Sequence, residues 1–277
     1  MTVLDGIAIV TGAGSGIGRE CALGFAFAGA AGVVFADRNL HAAEEAAETS
    51  RRVANNTDPY HPMAIQVDVA DRQSVEGMLS QTLETFGRVD YCVNAAGMAM
   101  RGPRSILDLM PDEFDQLYHV NVRGTTNCLQ TIAKQMQNQD LRTVSTRNGP
   151  REIGRGVIVN LGSMHSHIAA KDIAHYTMSK HAVLGLTKSA ALDLAPHGIR
   201  VNSVCPTWVD TPMIDAVEGS EQLRAMVNDV VPLGRIAQPD EVADVVLFLC
   251  SPQANYVTGS GWMIDGGLSY FREVGYF

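Results

Sequence analysis

Residues 7–18 read IAIVTGAGSGIG, and this stretch decides the fold. Ile7 to Val10 is a short apolar run of strand character, broken by Thr11-Gly12. Glycines at 12, 14, 16 and 18 then lead into a helical pattern of Ala22, Leu23, Phe25 and Ala26. A second apolar run, Val33 to Ala36, ends in Asp37, nineteen residues past Gly18. Strand, glycine turn, helix, strand, acid is the order of a dinucleotide-binding βαβ unit. The glycines permit positive φ, let the backbone approach a pyrophosphate, and open a helix whose first amides face the anion. Many glycine-rich turns simply join a strand to a helix; here the flanking strands and the acid add specificity. Gly12, Ser15, Gly16, Ile17 and Gly18 are the expected cradle. Asp37 is expected to accept from the adenosine ribose hydroxyls and to repel a 2′-phosphate, favouring NAD over NADP. Arg38 follows directly and partly offsets that preference.

The pattern continues downstream. An alanine-rich helix from about Leu40 to Ala54 leads to a strand near Met63 to Val67, ended by Asp68-Val69. Asp71 reads as the N-cap of a helix whose Val75, Met78, Leu79, Leu83 and Phe86 share one face, and Gly87 closes it. Val89 to Val93 is a fourth strand, running into Asn94-Ala95-Ala96-Gly97. Unbroken alternation of strand and helix predicts an α/β doubly wound parallel sheet with helices on both faces. Pro111 to about Met136 is a long helical pattern interrupted by Asn121 and Gly124, two poor helix-interior residues, so a local irregularity or a kink facing a site is expected there. Residues 137–155 are polar and aperiodic and read as a surface loop, longer than most connections. No repeat or linker divides the chain, so residues 1–277 are expected to form one domain.

Bulk properties narrow the function. The 46% apolar and 18% charged composition is that of a globular chain, and the net charge of -9 without a basic run argues against nucleic acid or an anionic membrane as partner. No segment approaches the roughly 20 apolar residues of a membrane span. The first apolar run lacks the basic flank and length of a signal peptide, and the five dispersed cysteines suit reduced, buried thiols, so a cytoplasmic location is expected. His165, His167 and His175 lack a completing carboxylate, so no metal site is expected.

Gly156 to Asn160 is a fifth sheet strand that delivers Ser163 at its carboxyl end, where open α/β sheets bind ligands. Thirteen residues on, a helix carries Tyr176 and Lys180, one turn apart on a shared face. An ammonium beside a phenol makes the phenol a usable proton donor and acceptor, although Y-x-x-x-K alone also occurs as an ordinary surface pair. Arg200 to Cys205 is a further strand. Pro206 to Met213 leaves it, and a helical segment around 220–230 has the flanking prolines and glycines of a lid. A helix from Asp240 to Cys250 and a strand from Trp262 to Ile264 complete the pattern.

Taken together, these landmarks resemble the short-chain dehydrogenase/reductases, over nearly the whole chain. The glycine turn, Asp68-Val69, Asn94 to Gly97, Asn121, Ser163, the Tyr176/Lys180 pair and Pro206 to Thr211 occur in that family's order and spacing. The resemblance implies a Rossmann-type catalytic domain and hydride transfer between a nicotinamide and an alcohol or ketone. By it, Tyr176 would be the general acid/base, and Lys180 would activate it and hold the nicotinamide ribose. Ser163 would orient the carbonyl, and Asn121 would hold a water linking the lysine to solvent. Asp68 and Val69 would flank adenine, Asn94, Ala95 and Gly97 would line the cofactor cleft, and Pro206, Val209 and Thr211 would anchor the carboxamide end. The family often has glycine where this chain has Thr207, and Asn-Asn where it has Asn94-Ala95. Members are frequently homo-oligomers, so a tetramer or dimer is expected, with the aromatic tail from Tyr270 to Phe277 as a packing, interface or site-closing element.

Met98, Met100, Met164, Trp208 and Met213 lie near these landmarks in sequence and read either as core or as the lining of an apolar pocket. The second reading predicts a hydrophobic secondary alcohol or ketone, cyclic, steroid-, terpenoid- or polyketide-like. Two alternatives use the same fold: a non-net-redox reaction such as epimerisation, or a catalytically silent dinucleotide-binding protein. The presence of both Tyr176 and Lys180 favours the enzyme.

Overall fold

In the computed structural model, which describes residues 4–55, 60–100, 102–215 and 220–270, the opening apolar run becomes β1 (Ile7–Thr11), buried throughout. The chain then alternates through α1 (Gly16–Phe27), β2 (Gly32–Asp37), α2 (Leu40–Val53), β3 (His61–Gln66), α3 (Arg72–Phe86) and β4 (Tyr91–Asn94). Local chemistry sets these boundaries. Asn39 and Asp71 cap α2 and α3 by accepting from the amides of Ala42 and Gln73, and Gly87 ends α3 at φ 74°.

The long helical pattern resolves into three pieces: α4 (Pro111–Leu117), a π-helical turn (Tyr118–Gly124) and α5 (Thr125–Met136). The irregularity expected at Asn121 is therefore a widened turn that keeps the helix continuous. Gly124 lies at the end of that turn because a Cβ there would come within 2.6 Å of Val69 Cγ2.

Residues 137–155 depart from the loop expectation. They contain an antiparallel hairpin, β5 (Arg142–Thr146) and β6 (Gly149–Gly154), with Gly149 at φ 100° closing its two-residue turn. Asn148-Gly149 between alternating residues is a hairpin signal, but both strands are mostly solvated and show no apolar face to advertise them. Arg142 anchors the hairpin beneath the sheet, donating to Tyr91 Oη at 2.8 Å and pairing with Asp5. The remaining elements are β7 (Gly156–Leu161), α6 (Ala174–Leu194), β8 (Ile199–Pro206), α7 (Pro212–Asp215), α8 (Ser220–Val230), α9 (Pro239–Cys250) and β9 (Gly261–Ile264). Residues 271–277 of the aromatic tail lie outside the described residues.

Seven strands form one parallel sheet in the order β3-β2-β1-β4-β7-β8-β9. Alternate strand residues feed two cores, as the two-residue period requires. Val10, Val33, Phe35 and Val159 pack with Phe25 of α1, Ala43 of α2 and Val246 of α9. Ile9, Val34 and Ile158 pack on the other face with Met78 of α3, Ile132 of α5 and Ala190 of α6. A sheet covered on both faces reads as near-continuous apolar runs, which is why β1, β2 and β7 are so plain in the sequence. All five cysteines are buried and unpaired, and burial pushes the Cys128 and Cys250 thiols up to about 12.

The connection leaves β1 toward β2 on one side and returns to β4 on the other. The carboxyl ends of β1 and β4 therefore flank the point where ligands bind in open sheets. A polar ladder stiffens this edge from within. Asn94 Nδ2 donates to Asn160 Oδ1 at 2.8 Å, and Asn160 Nδ2 donates to Thr187 Oγ1 at 2.9 Å. Asn160 is fully buried, so its removal strands both partners. Asn160→Ala should lower unfolding stability by about 2 kcal/mol, read as a fall in the urea midpoint; an unchanged midpoint would mean the ladder carries no net stability.

Candidate active site

Ser163 opens the one-turn 3-10 helix Met164–Ser166 that follows β7. Its amide donates to Ser166 Oγ at 3.2 Å, while its own Oγ accepts the amide of His165 at 3.2 Å, a reciprocal capping box. Ser166 Oγ in turn donates to the Lys180 carbonyl at 2.8 Å, fastening this turn to α6. Thr207, the residue that departs from the family's usual glycine, adds a second tie by placing its hydroxyl 2.9 Å from Met164 Sδ.

Tyr176 and Lys180 face the same cleft from α6. The Lys180 ammonium is buried, donates to the Leu161 carbonyl at 2.9 Å, and sits 5.7 Å from the centre of the Tyr176 ring. Tyr176 is half-buried, and the His165 ring meets it edge-on at 6.1 Å. The fourth expected residue, Asn121, projects from the π turn and is 1% exposed. Its Oδ1 accepts the Met98 amide at 2.7 Å, and its Nδ2 donates to the Met98 carbonyl at 3.1 Å and to Ser179 Oγ at 3.3 Å. Ser179 donates to the Tyr176 carbonyl at 2.8 Å. Asn121 thus reaches α6 through Ser179, and all four residues converge at the carboxyl ends of β4 and β7.

The glycine turn has the form a pyrophosphate needs. Gly12 and Gly16 lie at φ 69° and 53°, and a Cβ on Gly16 would stand 3.2 Å from Thr211. Ser15, at the N-cap of α1, makes no side-chain cap, and no acid occupies the first turn, so the Gly16 and Ile17 end of the helix keeps its amides and positive dipole for an anion. Gly18 allows α1 to start against the Gly12 carbonyl. Asp37 is held by two amides, Gly14 to Oδ2 and Asn39 to Oδ1, both at 2.9 Å. Each oxygen retains a lone pair for a ribose hydroxyl. Sequence reasoning omitted Gly14, although its place in the glycine pattern marks it; a Cβ there would approach Asp37 Oδ2 to 3.0 Å.

The other expected residues fall around this cleft. Asp68 is exposed and accepts the Ala70 amide, and Val69 is buried against α5 with its carbonyl bonded to Asn127. Asn94 spends its carboxamide on Asn160 inside the sheet, which leaves only its backbone for a ligand, and the chain then emerges through half-buried Ala95 to exposed Gly97. Pro206 ends β8 beside Ile264, Val209 is buried in a bridge to Ala237, and the Thr211 hydroxyl donates to the Val209 carbonyl at 3.2 Å. Of the residues suggested for an apolar pocket, Met164 is buried in the Ser163 turn, whereas Met213 is 44% exposed on α7. Ser166 and Ser179 are not legible in the sequence, because a serine's tie to a helix carbonyl leaves no local signal.

The family model described as enoyl-(acyl carrier protein) reductase matches residues 12–269. Short-chain dehydrogenase anuF of Penicillium roqueforti (strain FM164) is 48% identical over 265 residues, covering 95% of this chain and 96% of its own. The chain belongs to the short-chain dehydrogenase/reductase family. This family member is an NAD(P)-dependent oxidoreductase acting on CH–OH groups. It is also 36% identical to the mitochondrial (-)-isopiperitenol/(-)-carveol dehydrogenase of Mentha piperita, over 95% of this chain and 92% of that one. The structure of 7α-hydroxysteroid dehydrogenase complexed with NADH and 7-oxo glycochenodeoxycholic acid superposes with a TM-score of 0.82 at 31% identity, over 96% of this chain and 95% of that one.

Three histidines, His165, His167 and His175, give this short-chain dehydrogenase/reductase a pH signature. Burial pushes all three below the ordinary imidazole value; for His175 Arg104 adds to this and Glu113 opposes it, and for His165 the Ile168 backbone opposes it. Folding therefore favours the neutral rings, so this stability is complete above about pH 6.5 and falls as pH drops toward the lowered folded values. His175 is 1% exposed and its Nδ1 makes no hydrogen bond. His175→Gln should reduce the loss of thermal midpoint between pH 7.5 and pH 5.5 relative to the parent, and an identical loss would exclude His175 as its source.

Proposed function

We propose that this enzyme interconverts a secondary alcohol and a ketone, working as one catalytic domain with NAD as its preferred cofactor. The observation that carries the reading is the convergence of Tyr176, Lys180 and the Ser163 turn, with the turn tied to the Lys180 carbonyl. When bound, the nicotinamide supplies or takes up the hydride. Ser163 Oγ already accepts from the His165 amide, so its own proton is free to point at the substrate oxygen. Tyr176 passes a proton to or from that oxygen. The Lys180 ammonium, 5.7 Å from the ring centre, stabilises negative charge as it develops on the phenol oxygen. One of its three donors is spent on Leu161, leaving two for the nicotinamide ribose and a relay water held near Asn121.

The residues of the glycine turn, Gly12, Ser15, Gly16, Ile17 and Gly18, would hold the pyrophosphate, with Asp37 on the adenosine ribose. Asp68 and Val69 would flank adenine, the backbone of Asn94, Ala95 and Gly97 would border the cleft, and Pro206, Val209 and Thr211 would hold the carboxamide. Asp37 supports NAD, because a 2′-phosphate would meet a carboxylate fixed by two amides. The relatives support a cyclic, hydrophobic substrate: one is named for the carveol and isopiperitenol alcohols, and another is complexed with a 7-oxo steroid acid. We also propose a homo-oligomer, dimer or tetramer, supported by exposed Ile106, Leu107 and Leu192. The buried, unpaired cysteines suit a reducing cytoplasm, and no helix among the described residues is long and apolar enough to cross a membrane.

Tyr176→Phe should lower kcat by about 10² to 10⁴ fold while NADH affinity, measured by fluorescence titration, stays within about threefold. Undiminished turnover would sink the acid/base assignment. In the same titration NADH should bind more tightly than NADPH, and Asp37→Ala should narrow the gap by about tenfold or more; tighter NADPH binding by the parent would reverse the cofactor preference.

A further inference from the structure

The turn after β7 holds a second polar group beside the Tyr176 phenol. His165 lies between Ser163 and Ser166, in a turn fixed by the Ser163–Ser166 capping box, by Ser166 to the Lys180 carbonyl, and by Thr207 to Met164 Sδ. These ties leave the imidazole little freedom beyond its own side-chain torsions. Its ring stands edge-on to Tyr176, with centres 6.1 Å apart and planes at 78°. It is half-buried, and Nδ1 is closed off from solvent without a hydrogen bond. Burial favours the neutral ring and nearby His181 adds to this, while the Ile168 backbone opposes it.

Such a position favours an apolar residue if packing is its whole task, because a polar nitrogen that finds no partner costs stability. A phenylalanine would meet Tyr176 edge-on equally well. With Nδ1 closed off, a ligand beside the phenol would have to meet the ring at Nε2. A neutral imidazole accepts at one nitrogen and donates at the other, so tautomer exchange lets it meet a hydroxyl or a carbonyl.

We infer that His165 is a substrate-recognition residue that hydrogen-bonds a second oxygen on the substrate, a hydroxyl or carbonyl about one ring's width from the carbon that reacts at Tyr176. The favoured substrates are therefore oxygenated cyclic compounds, hydroxyketones, diones and their alcohols, ahead of ketones with a single oxygen. This inference rests on the alcohol–ketone reading above and narrows it.

The test compares cyclohexanone with its 2-, 3- and 4-hydroxy derivatives and with cyclohexane-1,4-dione, following NADH oxidation by the parent and by His165→Phe. The parent should show a kcat/KM at least about tenfold higher for the best doubly oxygenated ketone than for cyclohexanone. His165→Phe should erase most of that ratio, with the loss in the KM of the favoured substrate. His165→Leu provides the same reading should the Phe variant fail to fold. A parent that reduces cyclohexanone and its oxygenated derivatives equally well overturns the role of His165 and leaves the alcohol–ketone reading standing. A variant whose kcat falls alike on every ketone, with the ratio preserved, overturns it too, since that marks a support for Tyr176. A parent that reduces none of them removes both.

Discussion

The close approach of Gly18 to the Gly12 carbonyl is the contact on which the architecture turns. A side chain at position 18 would overlap that carbonyl, so only glycine lets α1 begin directly over the end of β1. With α1 placed there, its uncapped first turn points into the crevice between β1 and β4, and its buried face meets α9 and α2. One turn of chain thus sets both the packing of a helical layer and the location of positive potential. Gly16 and Thr211 extend the same economy, since the small residue leaves room for the segment that follows β8.

Around that crevice, polar groups that would be costly in the interior of a sheet covered on both faces are joined in chains. Asn94, Asn160 and Thr187 form one. Ser163, Ser166 and the Lys180 carbonyl form another, and Met98, Asn121, Ser179 and the Tyr176 carbonyl a third. The second and third chains both end on the backbone of α6, on either side of the turn that separates Tyr176 from Lys180. The phenol and the ammonium are consequently oriented by bonds to the helix that bears them, while two of the ammonium's three donors stay available beyond the one given to the Leu161 carbonyl. Thr207 fits this pattern: where the family often has glycine, its hydroxyl pins Met164 and stiffens the turn that carries Ser163 and His165.

Most of the sheet was legible because parallel strands covered on both faces must be almost wholly apolar, and β1, β2 and β7 are. The hairpin at 142–154 was not, because its solvated strands have no apolar face and its only marker is Asn148-Gly149. The π turn was half legible: Asn121 and Gly124 announce a disturbed helix, but a kink and a π bulge draw on the same residues. Gly124 becomes specific only once Val69 is seen to press on it. Asn94 shows the opposite limit. Its motif places it in the cleft, whereas its side chain serves the sheet interior.

By itself the sequence determined the alternation of strand and helix, the glycine turn with its acid, and the helical spacing of Tyr176 and Lys180, since each depends on residues near one another in the chain. It also carried the family, through landmarks kept in order over nearly its full length. The tertiary structure alone decided which groups those landmarks meet: Asp37 held by Gly14 and Asn39, Asn121 reaching α6 through Ser179, and His165 standing against Tyr176. The physical reason is range. Propensity and periodicity act within a few residues, whereas hydrogen bonds and ring contacts across the cleft depend on how separate elements pack, and packing has no local signature.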